Sequence, residues 1–262
     1  MGNFGGWKPK VKAPQPFDSP PRGVYLSINP VEKFSLFILV APMLLLSMVA
    51  HEYAHGYAAL KQGDDTAQSL GRLTWNPLKH IDPMLTIVMP LVSFLLAGIA
   101  FGGAKPVPVD PRRYRNYVRG DIIVSLAGVA TNMVLAVLLL PTVIGLGLLG
   151  RAVPAIGDWV SLLQIMMLYG ITINLVLASF NLVPIPPLDG SHVVKHLLPL
   201  RAAIAYQSIA RFGLIIVFLL VGIGRPVLDA WMAPALWLNG QAVRIAAPYV
   251  ELGRWASLVS GV

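Results

Sequence analysis

Residues 34–60 read FSLFILVAPMLLLSMVAHEYAHGYAAL, an apolar run that passes without a break into His51, Glu52 and His55. A helix needs about 20 mostly apolar residues to cross the hydrocarbon core of a bilayer, and this stretch supplies them. Ionisable groups set into such a helix each cost about 2.5–3.5 kcal/mol on insertion scales, so their presence points to function. Positions four apart lie on one helix face, and both imidazoles can therefore reach one metal ion with the intervening Glu52 facing a water beside it. Zinc in such a site lowers the pKa of water and polarises a scissile carbonyl, and Glu52 is the candidate general base. In a soluble chain this pattern alone would be as readily coincidence. Here metal coordination removes most of the objection to burying the charged groups.

Working outward, the whole 262-residue chain is 56% hydrophobic and only 12% charged, with a mean hydropathy of +0.68. That composition excludes an ordinary soluble fold. The net charge of +8 sits in short loops between apolar segments, without the aromatic interleaving of a nucleic-acid surface, and suits contact with anionic lipid instead. There is no cysteine, which excludes disulfides, thiolate metal sites and a cysteine nucleophile, so any metal is held by His, Asp or Glu. Residues 1–33 form a Pro- and Gly-rich arm without signal-peptide character and read as a tether. Lys61–Pro83 is polar and predicts turns and short strands. Met84–Phe101 is apolar but contains Pro90 and Gly98. Ile122–Leu149, Trp159–Leu182 and Ala205–Ile223 read as further spans, and the tail 224–262, with Trp231, Trp237, Trp255, Arg244 and Arg254, reads as an interfacial helix. The expected organisation is an arm (1–33), a membrane-embedded domain (34–223) and an amphipathic tail (224–262).

Two histidines leave a catalytic zinc one protein ligand short. The candidate is Asp189, at the end of Asn181-Leu182-Val183-Pro184-Ile185-Pro186-Pro187-Leu188-Asp189-Gly190. Its prolines stop the preceding helix and leave a stiff segment that can turn the acid back towards the bundle. The alternative is that Asp189 merely caps the helix after Gly190. His192 and His196 are also four apart, but no acid lies between them on an amphipathic segment, and they read as surface groups or as supports behind the ligands.

These motifs resemble the site-2 protease family of intramembrane zinc metalloproteases, over about residues 34–200. The resemblance rests on the motif at 51–55, on Gly63-Asp64-Asp65-Thr66-Ala67 with the stretch Gly71 to Pro83, on Gly103-Ala104-Lys105-Pro106-Val107-Pro108, on Ala127-Gly128 with Asn132, and on Asn181 to Gly190. Val129, Leu85 and Gly103 depart from the family's usual residues, and none of them is a ligand or the base. The resemblance is to the short bacterial type, without PDZ or CBS domains. It implies one Zn2+ per chain held by His51, His55 and Asp189, and cleavage of peptide bonds in or near transmembrane segments of substrate proteins. It further implies that Asn181 and Asn132 contact the substrate or its oxyanion, a role amides can serve. Buried amides also bond helix to helix, which is the competing reading for both and the preferred one for Asn174.

The ligand positions constrain the fold. His51 and Asp189 both lie towards the C-terminal ends of their helices, so those helices must run parallel with a single crossing, the span from Ile122, between them. Met84–Phe101 cannot then be a full span, and a re-entrant or interfacial hairpin is expected, which backbone covered by protein permits. The fold class is therefore an all-α polytopic membrane bundle with a three-helix catalytic core and a small re-entrant or β-hairpin element. Residues 61–120 carry eight Lys and Arg and the arm carries five, so charge alone does not orient the chain. The resemblance implies a site near the cytoplasmic face of a bacterial-type cytoplasmic membrane. A zinc-binding scaffold that cuts nothing and a metal transporter are the competing readings. Glu52 argues against the first. The concentration of polar groups at one depth, without internal repeats, argues against the second.

Overall fold

The computed structural model describes residues 30–97 and 102–251. The expectations placed on the arm before residue 30, on Gly98, and on Arg254 and Trp255 lie outside the described residues. Among the described residues all regular structure is helical. Helix α1 (Pro30–Gln62) carries the opening stretch, and α4 (Tyr117–Ala152) and α5 (Gly157–Asn181) complete a three-helix core. Phe34–Gln62, Tyr117–Ala152 and Pro154–Asn181 are each long and apolar enough to cross a membrane. The chain is a multi-pass membrane protein.

Buried hydrogen bonds give the helix directions. Along α1 and α4, His51 pairs with Asn132 and His55 with the Val124 carbonyl, so the two helices are antiparallel. Along α4 and α5, Asn132 pairs with Asn174 and Val143 with Gln164, so these are antiparallel as well. It follows that α1 and α5 are parallel, as the ligand positions require. In lipid these buried amides must find partners within the protein, and they do so across all three helices.

The polar connection from α1 to α4 folds against the end of α1. Asp64, almost wholly buried, accepts the Thr66 N–H at 3.0 Å, the Thr66 hydroxyl, and the Asp110 N–H at 2.6 Å, tying the start of the connection to its end. The short strands expected between Lys61 and Pro83 are not formed. A short helix α2 (Thr66–Ser69) and single helical turns stand in their place. The reason is local: Asn76 and Asp82 precede prolines, and their side chains accept N–H groups at the start of each turn, at 3.0 Å in each case. The segment after Asp82 continues through a π-helical turn (Pro83–Val88) into α3 (Met89–Ala97). The chain then comes back to where it started, for Gly103 N–H donates to Leu85 C=O at 2.9 Å and Lys105 N–H to His80 C=O at 2.8 Å. The two ends of this apolar segment therefore lie side by side, as a re-entrant or interfacial hairpin requires, and among the described residues it is helical with no β-hairpin.

After α6 (Gly190–Leu197), the span read over Ala205–Ile223 is not one straight helix. Helices α7 (Leu200–Ser208) and α8 (Gly213–Gly222) are joined by a tight turn, and Leu200–Phe212 meets Ile215–Gly222 at 77°. Gly213 presses on the proline segment there; a Cβ at this position would stand 2.4 Å from Pro187 Cδ. Helix α9 (Arg225–Ala246) lies along α5, with Trp231 Nε1 donating to Ser179 C=O at 2.9 Å and Ala235 in the core with Leu168, Ile171 and Leu175. The chain beyond α9 is held by buried Gln164, whose amide donates to the Val143 and Tyr249 carbonyls at 2.8 and 2.9 Å and accepts the Glu251 N–H at 2.9 Å.

Candidate metal centre

His51 and His55 project from one face of α1 towards α4, and each ring is fixed through Nδ1. His51 Nδ1 lies 2.6 Å from Asn132 Oδ1, and His55 Nδ1 lies 2.7 Å from the Val124 carbonyl. The orientation of the Asn132 amide follows from its neighbours. Asn174 Nδ2 donates to the Gly170 carbonyl at 2.8 Å, which turns Asn174 Oδ1 towards Asn132 Nδ2 at 2.8 Å and leaves Asn132 Oδ1 for the histidine. Both partners of the imidazoles are thus acceptors. Each ring carries its proton on Nδ1 and presents a lone pair at Nε2.

Those two Nε2 atoms face each other at 2.9 Å. Asp189 Oδ2 stands 3.2 Å from the first and 3.4 Å from the second. That oxygen is buried and has no hydrogen-bond partner among the described residues. Two lone pairs and a carboxylate oxygen so close together repel one another unless a cation lies between them. Their separations match the roughly 3.3 Å between ligands of a tetrahedral zinc with bonds of about 2.0 Å. Two imidazoles and a carboxylate without thiolate are the donors of a catalytic zinc site with one position open. The residues present fit the metal.

The space in front of the rings is kept by Gly128 on α4. A Cβ there would lie 2.5 Å from His51 Cε1 and 2.6 Å from both Nε2 atoms. Glu52 Oε2 accepts the Val107 N–H at 2.7 Å, which lays the extended segment after Gly103 along the catalytic face of α1. Arg72 holds the same segment by the Lys105 and Pro106 carbonyls at 3.1 and 3.2 Å.

The structure therefore gathers His51, His55 and Asp189 at one point. Asp189 is not a helix cap, because its side chain makes no capping hydrogen bond to α6. Asn132 is fully buried behind His51, and its amide bonds to His51, Asn174 and the Ser47 carbonyl. Asn181 donates to Leu177 C=O of its own helix at 2.9 Å, away from the histidines and Asp189 in its hydrogen bonding. Asn174 is the interhelical link expected of it, with a further bond to Ser47 Oγ at 2.9 Å. Sequence reasoning missed Asp121. It is buried on α4, and its carboxylate accepts from His192, Lys195 and His196 of α6. The signal for it was an acid at the head of an otherwise apolar span.

The sequence model of Peptidase family M50 matches residues 146–223, which include the Asp189 element. A Bacillus subtilis protein, YwhC, is 36% identical over 201 residues, covering 74% of this chain and 85% of its own length. The Rip2 proteins of Mycolicibacterium smegmatis and Mycobacterium tuberculosis are 36% and 30% identical over 208 and 237 residues, covering 78% and 88% of this chain and 74% and 86% of theirs. All three carry names that assign them provisionally as zinc metalloproteases. An alignment of 88% of the chain leaves too little uncovered to omit either residues 51–55 or residue 189. No solved structure matches the chain significantly.

Proposed function

The chain belongs to peptidase family M50, the site-2 protease family, and on that premise we propose that it hydrolyses peptide bonds in or near transmembrane segments of other membrane proteins. It is a zinc-dependent metalloprotease with Zn2+ as its cofactor. His51, His55 and Asp189 hold the ion. The observation that carries this reading is the convergence of two Nε2 lone pairs and one orphaned carboxylate oxygen within 3.4 Å of one another.

Bound zinc supplies Lewis acidity towards water and towards the scissile carbonyl. Glu52, on the same helix turn as the two histidines, takes the proton from the attacking water and delivers it to the leaving amine as the C–N bond breaks. Asn132 and the Val124 carbonyl hold the imidazole protons on Nδ1, so Nε2 stays available throughout. Gly128 leaves room for the reacting groups beside the rings.

The depth of the site suits a membrane-borne substrate. Tyr53 stacks between Tyr57 and Trp75 at centroid distances of 6.2 and 4.6 Å, and Lys61 lies over the Tyr57 ring. Stacked aromatics with a lysine mark the membrane–water boundary. His51 and His55 flank Tyr53 on the same helix, within about 3 Å of it along the axis, so the site lies close to the depth of that aromatic cluster. At that depth water reaches the site from one side while a transmembrane substrate enters laterally. By the resemblance, that side is the cytoplasmic face of a bacterial-type cytoplasmic membrane.

The test uses purified full-length protein in detergent and a model transmembrane peptide. Wild type binds about one zinc and cleaves the peptide; Glu52→Gln binds zinc equally and does not cleave, because the base is not a ligand. Equal cleavage by the two proteins would remove Glu52 from the mechanism, and zinc without cleavage in either would favour a zinc-binding scaffold.

A further inference from the structure

Asp189 Oδ2 reaches the two histidines without a hydrogen bond to guide it, and the side chain makes no cap to α6. Its position is imposed by the backbone on either side, the irregular segment after α5 and helix α6. That helix has only eight residues, and helices so short are marginal unless tertiary contacts hold them. The contact that holds α6 is a buried ionic cluster. Asp121, 2% exposed, accepts from Lys195 Nζ at 2.6 Å, His196 Nε2 at 2.7 Å and His192 Nδ1 at 3.2 Å. Lys195 is itself buried, which removes the pair from the class of weak surface ion pairs. With an ammonium already on the carboxylate, the cluster is not a second metal site.

Asp121 belongs to a stripe on α4. Asp121, Val124, Gly128 and Asn132 fall at i, i+3, i+7 and i+11, one face of a helix. Asn132 fixes His51, the Val124 carbonyl fixes His55, and Gly128 keeps the space between them. We propose that Asp121 is the third anchor of this face: a positioning residue that places Asp189 by clamping α6, through Lys195, His192 and His196, to the helix that already orients the two histidines. Each metal ligand is then referred to α4, although none is carried on it. The proposal rests on the reading of His51, His55 and Asp189 as zinc ligands.

The experiment measures apparent zinc affinity of the detergent-purified full chain by competition with a chromophoric chelator, and the visible spectrum of the Co2+-substituted protein. The variants are Asp121→Asn, Lys195→Met, Asp189→Ala, and Asp121→Asn combined with Asp189→Ala. Removal of a group that orients a ligand weakens metal binding about 10–100-fold. Asp121→Asn is expected to do so and to alter the Co2+ spectrum, and Lys195→Met to act in the same direction from the other helix. In the Asp189→Ala background Asp121→Asn should add nothing, because it acts only through Asp189. General loosening of the fold would add its loss in either background. Zinc affinity within twofold of wild type in both single variants, or losses that multiply in the double variant, overturns the proposal. If Asp121→Asn does not accumulate as folded protein, Lys195→Met alone and with Asp189→Ala decides in the same way. Wild-type affinity in Asp189→Ala would instead overturn the ligand assignment itself.

Discussion

Replacing Gly128 by alanine adds one methyl group at the most crowded point of the proposed centre. The new Cβ would stand 2.5–2.6 Å from His51 Cε1 and the Nε2 atoms of both histidines, where ordinary contact begins near 3.4 Å. The rings would have to retreat by about 0.8–0.9 Å, well beyond the roughly 0.2 Å that metal–ligand distances tolerate. They cannot retreat freely, because Asn132 and the Val124 carbonyl hold them from behind. A displacement of about 1 Å at a reacting centre costs on the order of 100-fold in rate, so peptide cleavage should fall at least that far. Stability should change little by comparison. Alanine is better than glycine in a helix interior by about 1 kcal/mol, which offsets part of an overpacking cost of about 1–3 kcal/mol. Gly145→Ala on the same helix is the control, since a Cβ there meets nothing within 4 Å. The assay is cleavage of a transmembrane peptide beside bound zinc and thermal unfolding for wild type and both variants. Turnover and zinc content of Gly128→Ala within twofold of wild type would refute the reasoning.

Asn132→Leu leaves the His51 Nδ1 proton without an acceptor and Asn174 Oδ1 without a donor. Zinc affinity should fall about 10–100-fold by chelator competition, and unfolding should be easier by about 1–3 kcal/mol. Gln164→Leu strips a partner from the buried Val143 carbonyl, the half-buried Tyr249 carbonyl and the Glu251 N–H, so it should destabilise the chain by a similar amount while leaving zinc content intact. Glu251→Gln, which breaks only the exposed pair with Arg151, should shift unfolding by less than about 1 kcal/mol.

The parts of the fold legible in sequence were those set by short-range pattern. The spacing of His51 and His55 is a property of one helix turn, and the prolines before Asp189 announce where a helix must stop. The re-entrant element followed from the parity of crossings between two ligands, with Pro90 as a local sign. What could not be read depends on how helices are rotated and where they touch. Asn132 is polar and within reach of the site in any rotation, but only packing shows that it faces the back of His51. Asp121 is by its sequence only an acid near a helix start, and its partners appear only where α6 packs over it. The bend between α7 and α8 lies in an apolar run whose composition gives no warning. At the bend Gly213 lies against Pro187, 26 residues earlier in the chain, a contact that no local pattern announces. The strands expected after Gln62 were lost to side-chain caps at Asn76 and Asp82, each next to a proline.

Zinc K-edge X-ray absorption on the purified wild-type chain tests the metal centre most directly. The geometry predicts one zinc with four nitrogen or oxygen ligands at about 2.0–2.1 Å and the multiple scattering of two imidazoles, with one imidazole left after His55→Ala. A shell with fewer than two imidazoles in the wild type, or one unchanged by His55→Ala, would contradict it.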